Sequence, residues 1–296
     1  MLPEQARLWL AEVALPGAKI VGVTSLSGGY SNENLLLTTG HGERYVLRRY
    51  LRPNASRTCA VEAALAHRLR GHVPVAEVVA AAPDDGLLLS EFVPGELAGA
   101  ALTGGIDPGG LGTAVRQALT AIGEVTFDGP GWFTDAELVP ATDDVPGDLA
   151  GFVADCLAKT TGLSTEDRRD MLALARSVQP RLDTLAGHAR LVHCDYNPKN
   201  IMVRRAHGTW VVSAVLDWEF AMSGCPLIDV GNMRRFRSDY PLAFNEAFAA
   251  GLADHELADA DALDLFALAD LLTRPPESAL FDRVVRAVRE RLREWR

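Results

Sequence analysis

The segment His193-Cys194-Asp195-Tyr196-Asn197-Pro198-Lys199-Asn200 constrains this chain more than any other stretch. Pro198 stiffens it and argues against a continuous helix through it, so its polar side chains belong to a loop. Two β-rich runs follow, Ile201 to Val203 and Val211 to Leu216, around a polar turn at His207-Gly208. The second run is apolar at Val211, Val212, Ala214, Val215 and Leu216 and reads as a buried strand. It ends at Asp217, so the fold has to carry a strand end and its acid back toward the loop. A lone acid at a strand end is often only a turn former, and an isolated H-x-D is common. The weight lies in the ordered combination.

That combination suits phosphoryl transfer. Asp195 can accept a proton from a substrate hydroxyl, or hold the hydroxyl in line with a phosphate. Asn200 offers a neutral oxygen, and Asp217 a charged one, to the same Mg²⁺ ion, a hard cation that takes oxygen ligands and keeps some waters. His193 is better suited to supporting the loop by hydrogen bonding than to acid–base chemistry.

On these residues the chain resembles the aminoglycoside phosphotransferase and choline kinase superfamily, small-molecule relatives of the protein kinases. The loop matches H-x-D-x-x-x-x-N, and Leu216-Asp217-Trp218-Glu219 matches the family's I/L-D-W/F-E, where protein kinases carry Asp-Phe-Gly. Pro226-Leu227-Ile228-Asp229 resembles the following Pro-x-x-Asp segment, whose acid braces the catalytic loop. The resemblance runs over roughly residues 20 to 290 and is strongest from 190 to 232. It implies an α+β, two-lobed protein-kinase-like fold, with a small antiparallel-sheet N-lobe and a larger, mainly helical C-lobe. The expected division is 1–92 for nucleotide binding and 93–296 for catalysis and the acceptor.

Composition sets outer bounds. The 296 residues fit one two-lobed enzyme, and 48% hydrophobic residues suffice for a sizeable core. Lys plus Arg number 29 against 39 Asp plus Glu, a formal charge of −10, which argues against nucleic acid as a partner. Four cysteines at positions 59, 156, 194 and 225 form no zinc pattern or disulfide framework, so reduced thiols and a cytoplasmic location are expected. No signal core and no apolar run of membrane-spanning length is visible. A monomer or weak homodimer is the expected state.

Ile20 to Thr24, Asn34 to Thr38 and Arg44 to Tyr50 read as strands. Between the first two, Gly28 and Gly29 with Ser31 and Asn32 can bring backbone N–H groups to phosphate oxygens, and a plain hairpin turn can have the same composition. The segment resembles the short Gly-Gly-x-x-Asn turn of the family. Arg48 stands where the family usually has lysine, and the resemblance has it reach the α- and β-phosphates. Residues 56 to 70 carry a helical repeat at Val61, Leu65 and Leu69. Glu62 in this helix is the partner that the family's Lys–Glu pair implies for Arg48. The run Leu87 to Glu91 reads as the last strand of the small lobe, and the backbone of Glu91, Phe92 and Val93 can meet adenine's edge, with Phe92 equally able to serve as core.

Gly104 to Gly112 reads as a loop before a helix from about 112 to 124, residues 127 to 150 as irregular, and 149 to 160, 166 to 186, Glu246 to Gly251, Asp261 to Arg274 and Ser278 to Arg293 as helices. For the acceptor, Asp195, Glu219 and Asp155 are candidates to meet a hydroxyl or ammonium, and Trp132 either stacks on the substrate or anchors local packing. The expected activity is transfer from ATP or GTP with Mg²⁺ to a small hydroxylated molecule, such as an aminoglycoside or a related antibiotic or metabolite. The alternative is a non-catalytic, nucleotide-binding pseudokinase-like protein. Retention of Asp195, Asn200 and Asp217 speaks against it.

Overall fold

The computed structural model describes residues 2–26, 32–142, 147–160 and 162–296. The chain divides into two compact units. One comprises Met1–Ala98, Phe133–Val139 and Asn200–Phe220, and the other Gly99–Trp132, Pro140–Lys199 and Ala221–Arg296.

The first unit is built on five strands, β1 (Ile20–Leu26), β2 (Asn32–Thr39), β3 (Arg44–Tyr50), β4 (Val78–Ala82) and β5 (Leu87–Glu91), in the order β1-β2-β3-β5-β4. Every neighbouring pair is antiparallel. Period-two alternation sends Leu35, Leu37, Leu47, Leu87 and Leu89 to one face, where they pack on Trp9 and Leu10. Those two belong to helix α1 (Glu4–Trp9) and the π-helical turn Leu10–Ala14 that continues it. The sequence reading assigned one helix to this region. The N-terminal one escaped because it is a six-residue helix behind Pro3, with no side-chain cap. The opposite face carries Tyr50 and Leu88 and packs on Cys59 of helix α2 (Ala55–Leu69).

The hairpin predicted around His207-Gly208 is formed by Ile201–Ala206 and Thr209–Val215. Both turn residues have positive φ, 50° and 84°, the mirror-image turn that matches strand twist. A short strand, Glu96–Leu97, adds to its edge. Gly95 approaches so closely that a Cβ there would sit 2.5 Å from the Val203 carbonyl oxygen. The hairpin clusters with the sheet unit.

The second unit is mainly helical. Its helices are α3 (Ala98–Gly104), α4 (Pro108–Glu124), α5 (Leu149–Lys159), α6 (Thr165–Asp183), α7 (Leu227–Arg234), α8 (Leu242–Ala249), α9 (Asp254–Leu271) and α10 (Phe281–Trp295). A core of Val153, Met171, Leu265, Leu268, Val284 and Val288 joins α5, α6, α9 and α10. The expected loop from Gly104 to Gly112 is a helix from Pro108 onward. Asp107 caps it by accepting the Gly110 N–H at 3.0 Å, and Pro108 is tolerated in the first turn. Gly112 serves close packing, since a Cβ there would meet the Phe244 carbonyl oxygen of α8 at 2.5 Å. Among the described residues no helix is long and apolar enough to cross a membrane.

Candidate active site

In the first unit the candidates converge on Arg48. β3 pleating points Arg48 and Tyr50 to the same side, toward α2. Glu62 lies on the buried stripe of α2, beside Cys59, Val61 and Leu65, where a carboxylate has to be paired to be tolerated. It is paired. Arg48 Nη1 donates to both Glu62 oxygens, at 2.9 and 2.7 Å. Arg48 Nη2 donates to Asp217 Oδ1 at 2.7 Å, and Nε to Asn34 Oδ1 at 3.3 Å. Burial alone would lower the guanidinium's pKa, but Glu62 and Asp217 beside it outweigh that and raise it well above its ordinary value. Arg48 is therefore a fixed charge spanning two carboxylates, with side-chain exposures of 14% for Arg48, 8% for Glu62 and 28% for Asp217.

Asp217 takes its place from the hairpin base. Ile201 pairs with Val215, and Leu216 donates its N–H to the Asn200 carbonyl at 2.8 Å. Asn200 and Asp217 thus flank the first rung of one hairpin. Asp217 has φ 68°, unusual for a non-glycine, in a turn pinned by the indole of Trp218 donating to the Val215 carbonyl at 3.0 Å. Asn200 carries an amide oxygen and Asp217 a carboxylate, hard donor types of the kind Mg²⁺ takes. Glu219 is half-buried and accepts from Asn32 Nδ2 at 3.3 Å. Burial, then the charge of Asp217, raises its pKa, and the Asn32 contact opposes them.

Gly28, Gly29 and Ser31 lie outside the described residues. Asn32 begins β2. At the end of β5, Glu91 donates its N–H to the Glu77 carbonyl at 2.8 Å and Phe92 to the Arg44 carbonyl at 3.1 Å. Phe92 is half-buried, with the Arg44 guanidinium 4.0 Å from its ring centroid. Val93 is half-buried beside it.

The second unit holds Asp195. Its loop is pinned at successive positions. The His193 and Cys194 N–H groups donate to the two carboxylate oxygens of Asp229 at 2.7 and 2.8 Å. The Asp195 N–H donates to His193 Nδ1 at 3.2 Å. Tyr196 is fully buried and donates its hydroxyl to the Val115 carbonyl of α4 at 2.7 Å. Asn197 Nδ2 donates to Asp195 Oδ1 at 2.8 Å, and Asn197 Oδ1 accepts the Lys199 N–H at 3.0 Å. The Pro198 carbonyl accepts the Gly99 N–H at 2.9 Å. Cys194 makes the bend with φ 63°. Asp229 is fully buried, which pushes its carboxyl up to about 7 against the pull of the two N–H donors and Asn232. Trp132 is half-buried in a short strand opposite Met222. Asp155 is exposed on α5.

Tyr50 and Asn34 were missed. Tyr50 donates to Glu62 Oε2 at 2.6 Å. Its position two residues after Arg48 was the available signal, since alternation puts both on one face.

Comparison with known proteins gives a consistent frame. A profile of the phosphotransferase enzyme family matches residues 22–266. The fold is shared with the crystal structure of aminoglycoside phosphotransferase APH(4)-Ia, at TM-score 0.72 and 19% identity over 98% of this chain and 96% of that one. A thermostable mutant of APH(4)-Ia, in ternary complex with AMP-PNP and hygromycin B, matches at TM-score 0.68 and 17% identity, covering 97% and 96%. The GDP and kanamycin complex of APH(2")-IIia matches at TM-score 0.68 and 16% identity, covering 98% and 97%. No curated protein matches the sequence.

Proposed function

This chain belongs to the phosphotransferase enzyme family, and from that premise we propose that it transfers the terminal phosphoryl group of ATP or GTP to a hydroxyl of a small molecule. The observation that carries the reading is Arg48, one buried guanidinium bonded to both Glu62 and Asp217. A cation held this way is placed before ligand arrives, which is what phosphate positioning needs. Residues 1–92 supply nucleotide binding, and 93–296 supply catalysis and the acceptor site. Of the amides of Glu91, Phe92 and Val93, the first two are taken by backbone carbonyls, so we assign the Val93 N–H to adenine's edge.

Asp195 receives the acceptor hydroxyl on the carboxylate that Asn197 orients, and holds or takes its proton as the bond to phosphorus forms. Asn200 and Asp217 hold Mg²⁺, which when bound neutralises charge on the transferring phosphoryl group. The acceptor is an aminoglycoside or a related amino- and hydroxyl-bearing antibiotic or metabolite. The hygromycin B and kanamycin bound to structural neighbours support that class, and half-buried Glu219 is a carboxylate suited to an ammonium group. The test is nucleoside diphosphate release from ATP or GTP with Mg²⁺, against pooled aminoglycosides and hydroxylated metabolites. Acceptor-dependent release, with a phosphorylated product seen by mass spectrometry, is expected. A chain that binds neither nucleotide refutes the reading.

A further inference from the structure

The proposed nucleotide site leaves Tyr50 unassigned, although it touches the same carboxylate that fixes Arg48. Tyr50 is 6% exposed and packs among Cys59 and Leu88, a space a phenylalanine would fill equally well. Its hydroxyl is therefore its one distinctive contribution. A buried hydroxyl needs an acceptor, and here the acceptor is Glu62 Oε2 at 2.6 Å. Glu62 Oε2 also accepts from Arg48 Nη1 at 2.7 Å, and the guanidinium carbon lies 5.6 Å from the Tyr50 ring centroid. Burial, and then the charge of Glu62, raise the phenol's pKa, so it stays a donor.

We propose that Tyr50 is a positioning residue for nucleotide binding, whose hydroxyl clamps Glu62 so that Arg48 presents a fixed guanidinium to the phosphates. The inference rests on the nucleotide-site reading of Arg48. Three observations carry it. Tyr50 and Arg48 leave the same face of β3. Both donate to one oxygen of one buried carboxylate. The guanidinium's other branch, Nη2, reaches Asp217 at the hairpin base, so an error in its aim would pass to both functional partners. A carboxylate held by Arg48 alone could swing about its last torsion and carry the guanidinium with it. One held from two directions cannot.

The experiment is a double-mutant cycle on the full chain, using wild type, Tyr50→Phe, Arg48→Ala and the double variant. The readouts are the Kd of a non-hydrolysable ATP analogue with Mg²⁺, thermal stability, and basal ATP hydrolysis. Tyr50→Phe is expected to weaken nucleotide binding about five- to tenfold, in keeping with a lost bond to a charged group that is felt through one intermediary. It should lower hydrolysis at saturating nucleotide by less than it raises Kd. In the Arg48→Ala background the same change should leave Kd unaltered, because there is no guanidinium left to aim. An equal effect in both backgrounds would overturn the proposal, and so would an unchanged Kd in Tyr50→Phe while Arg48→Ala binds weakly. A Tyr50→Phe chain that does not fold overturns it as well, since the hydroxyl would then be a folding determinant. If Arg48→Ala binds nucleotide as tightly as wild type, the nucleotide-site reading of Arg48 fails and takes this inference with it.

Discussion

The loop around Asp195 and the cluster around Arg48 hold charged groups in place by opposite means. The Asp195 loop is fixed through its backbone. Two main-chain N–H groups sit on buried Asp229, a third on His193, and Tyr196 is locked to Val115. The Arg48 cluster is fixed through side chains, with Glu62, Asp217, Asn34 and Tyr50 meeting at the tips of long, rotatable groups. Backbone bonds of this kind cannot exchange without refolding the loop. Side-chain ion pairs can trade partners with a ligand while the strands stay put. The difference suits the proposed division of labour. A group that orients a hydroxyl should be rigid, whereas Asp217, which meets a metal, must be able to release Arg48 while Glu62 and Tyr50 keep the guanidinium in place.

The largest expected effect lies on the rigid side. Asp195→Ala should lower phosphotransfer by about 10²- to 10⁴-fold, the usual range for a general acid–base group, with nucleotide affinity nearly unchanged in a direct titration. Near-normal turnover would remove Asp195 from the chemistry and break the comparison at its root.

Next comes the exchangeable side. Asp217→Asn should reduce turnover about 10²-fold, because it weakens charge placement that matters most in the transition state, and should shift the melting temperature by only a few degrees. Turnover within about twofold of wild type, on whatever acceptor is found, would show that this carboxylate is structural.

Asp229→Ala tests whether the brace is what makes the loop rigid. Removing it orphans two N–H groups, that of His193 buried and that of Cys194 partly so, and should cost about 2–3 kcal/mol by chemical denaturation, with a loss of activity that follows the loop. The pH dependence has a definite sign. Burial raises this carboxyl to about 7 in the folded chain, above its ordinary value near about 4. Its contribution is therefore fully present below about pH 4 and is lost as pH rises through about 7. The stability gap between wild type and Asp229→Ala should narrow over that interval. A gap that widens would mean that the carboxylate is stabilised as an anion by its two donors.

The smallest effect is expected at Cys194, which shares the loop with the base. Burial, then Asp229 and Asp195, push its thiol well above the ordinary range, so it stays protonated and unreactive. Cys194→Ser should keep activity within about threefold, measured beside wild type. Trapping a phosphocysteine there would overturn direct transfer.

The regular elements were legible because their signals are local. Strand-forming runs marked β3 and β5, the four-residue repeat marked α2, and the turn residues His207 and Gly208 marked the hairpin. The short N-terminal helix was not legible, because six residues hold too little of a period, and the glycines at the start of α4 hid its first turn, which its cap stabilises. Asp229 could be flagged by its motif, yet only the structure shows it holding two loop amides at once.

The sequence by itself determined which groups this protein has to work with and on which elements they sit. Asp195 and Asn200 share a loop, Asp217 ends a strand, Arg48 shares a strand face with Val46, and Glu62 lies on a helix. Those are consequences of residue type and of periods two and 3.6, which act over a few residues. Tertiary structure decided partnership. It set Arg48 against Asp217, gave Tyr50 to Glu62, took the amides of Glu91 and Phe92 out of play, and left Asp155 exposed. The physical reason is that a buried charge or donor must find whichever acceptor packing brings within about 3 Å, and packing is settled by the whole core, not by the neighbours in sequence.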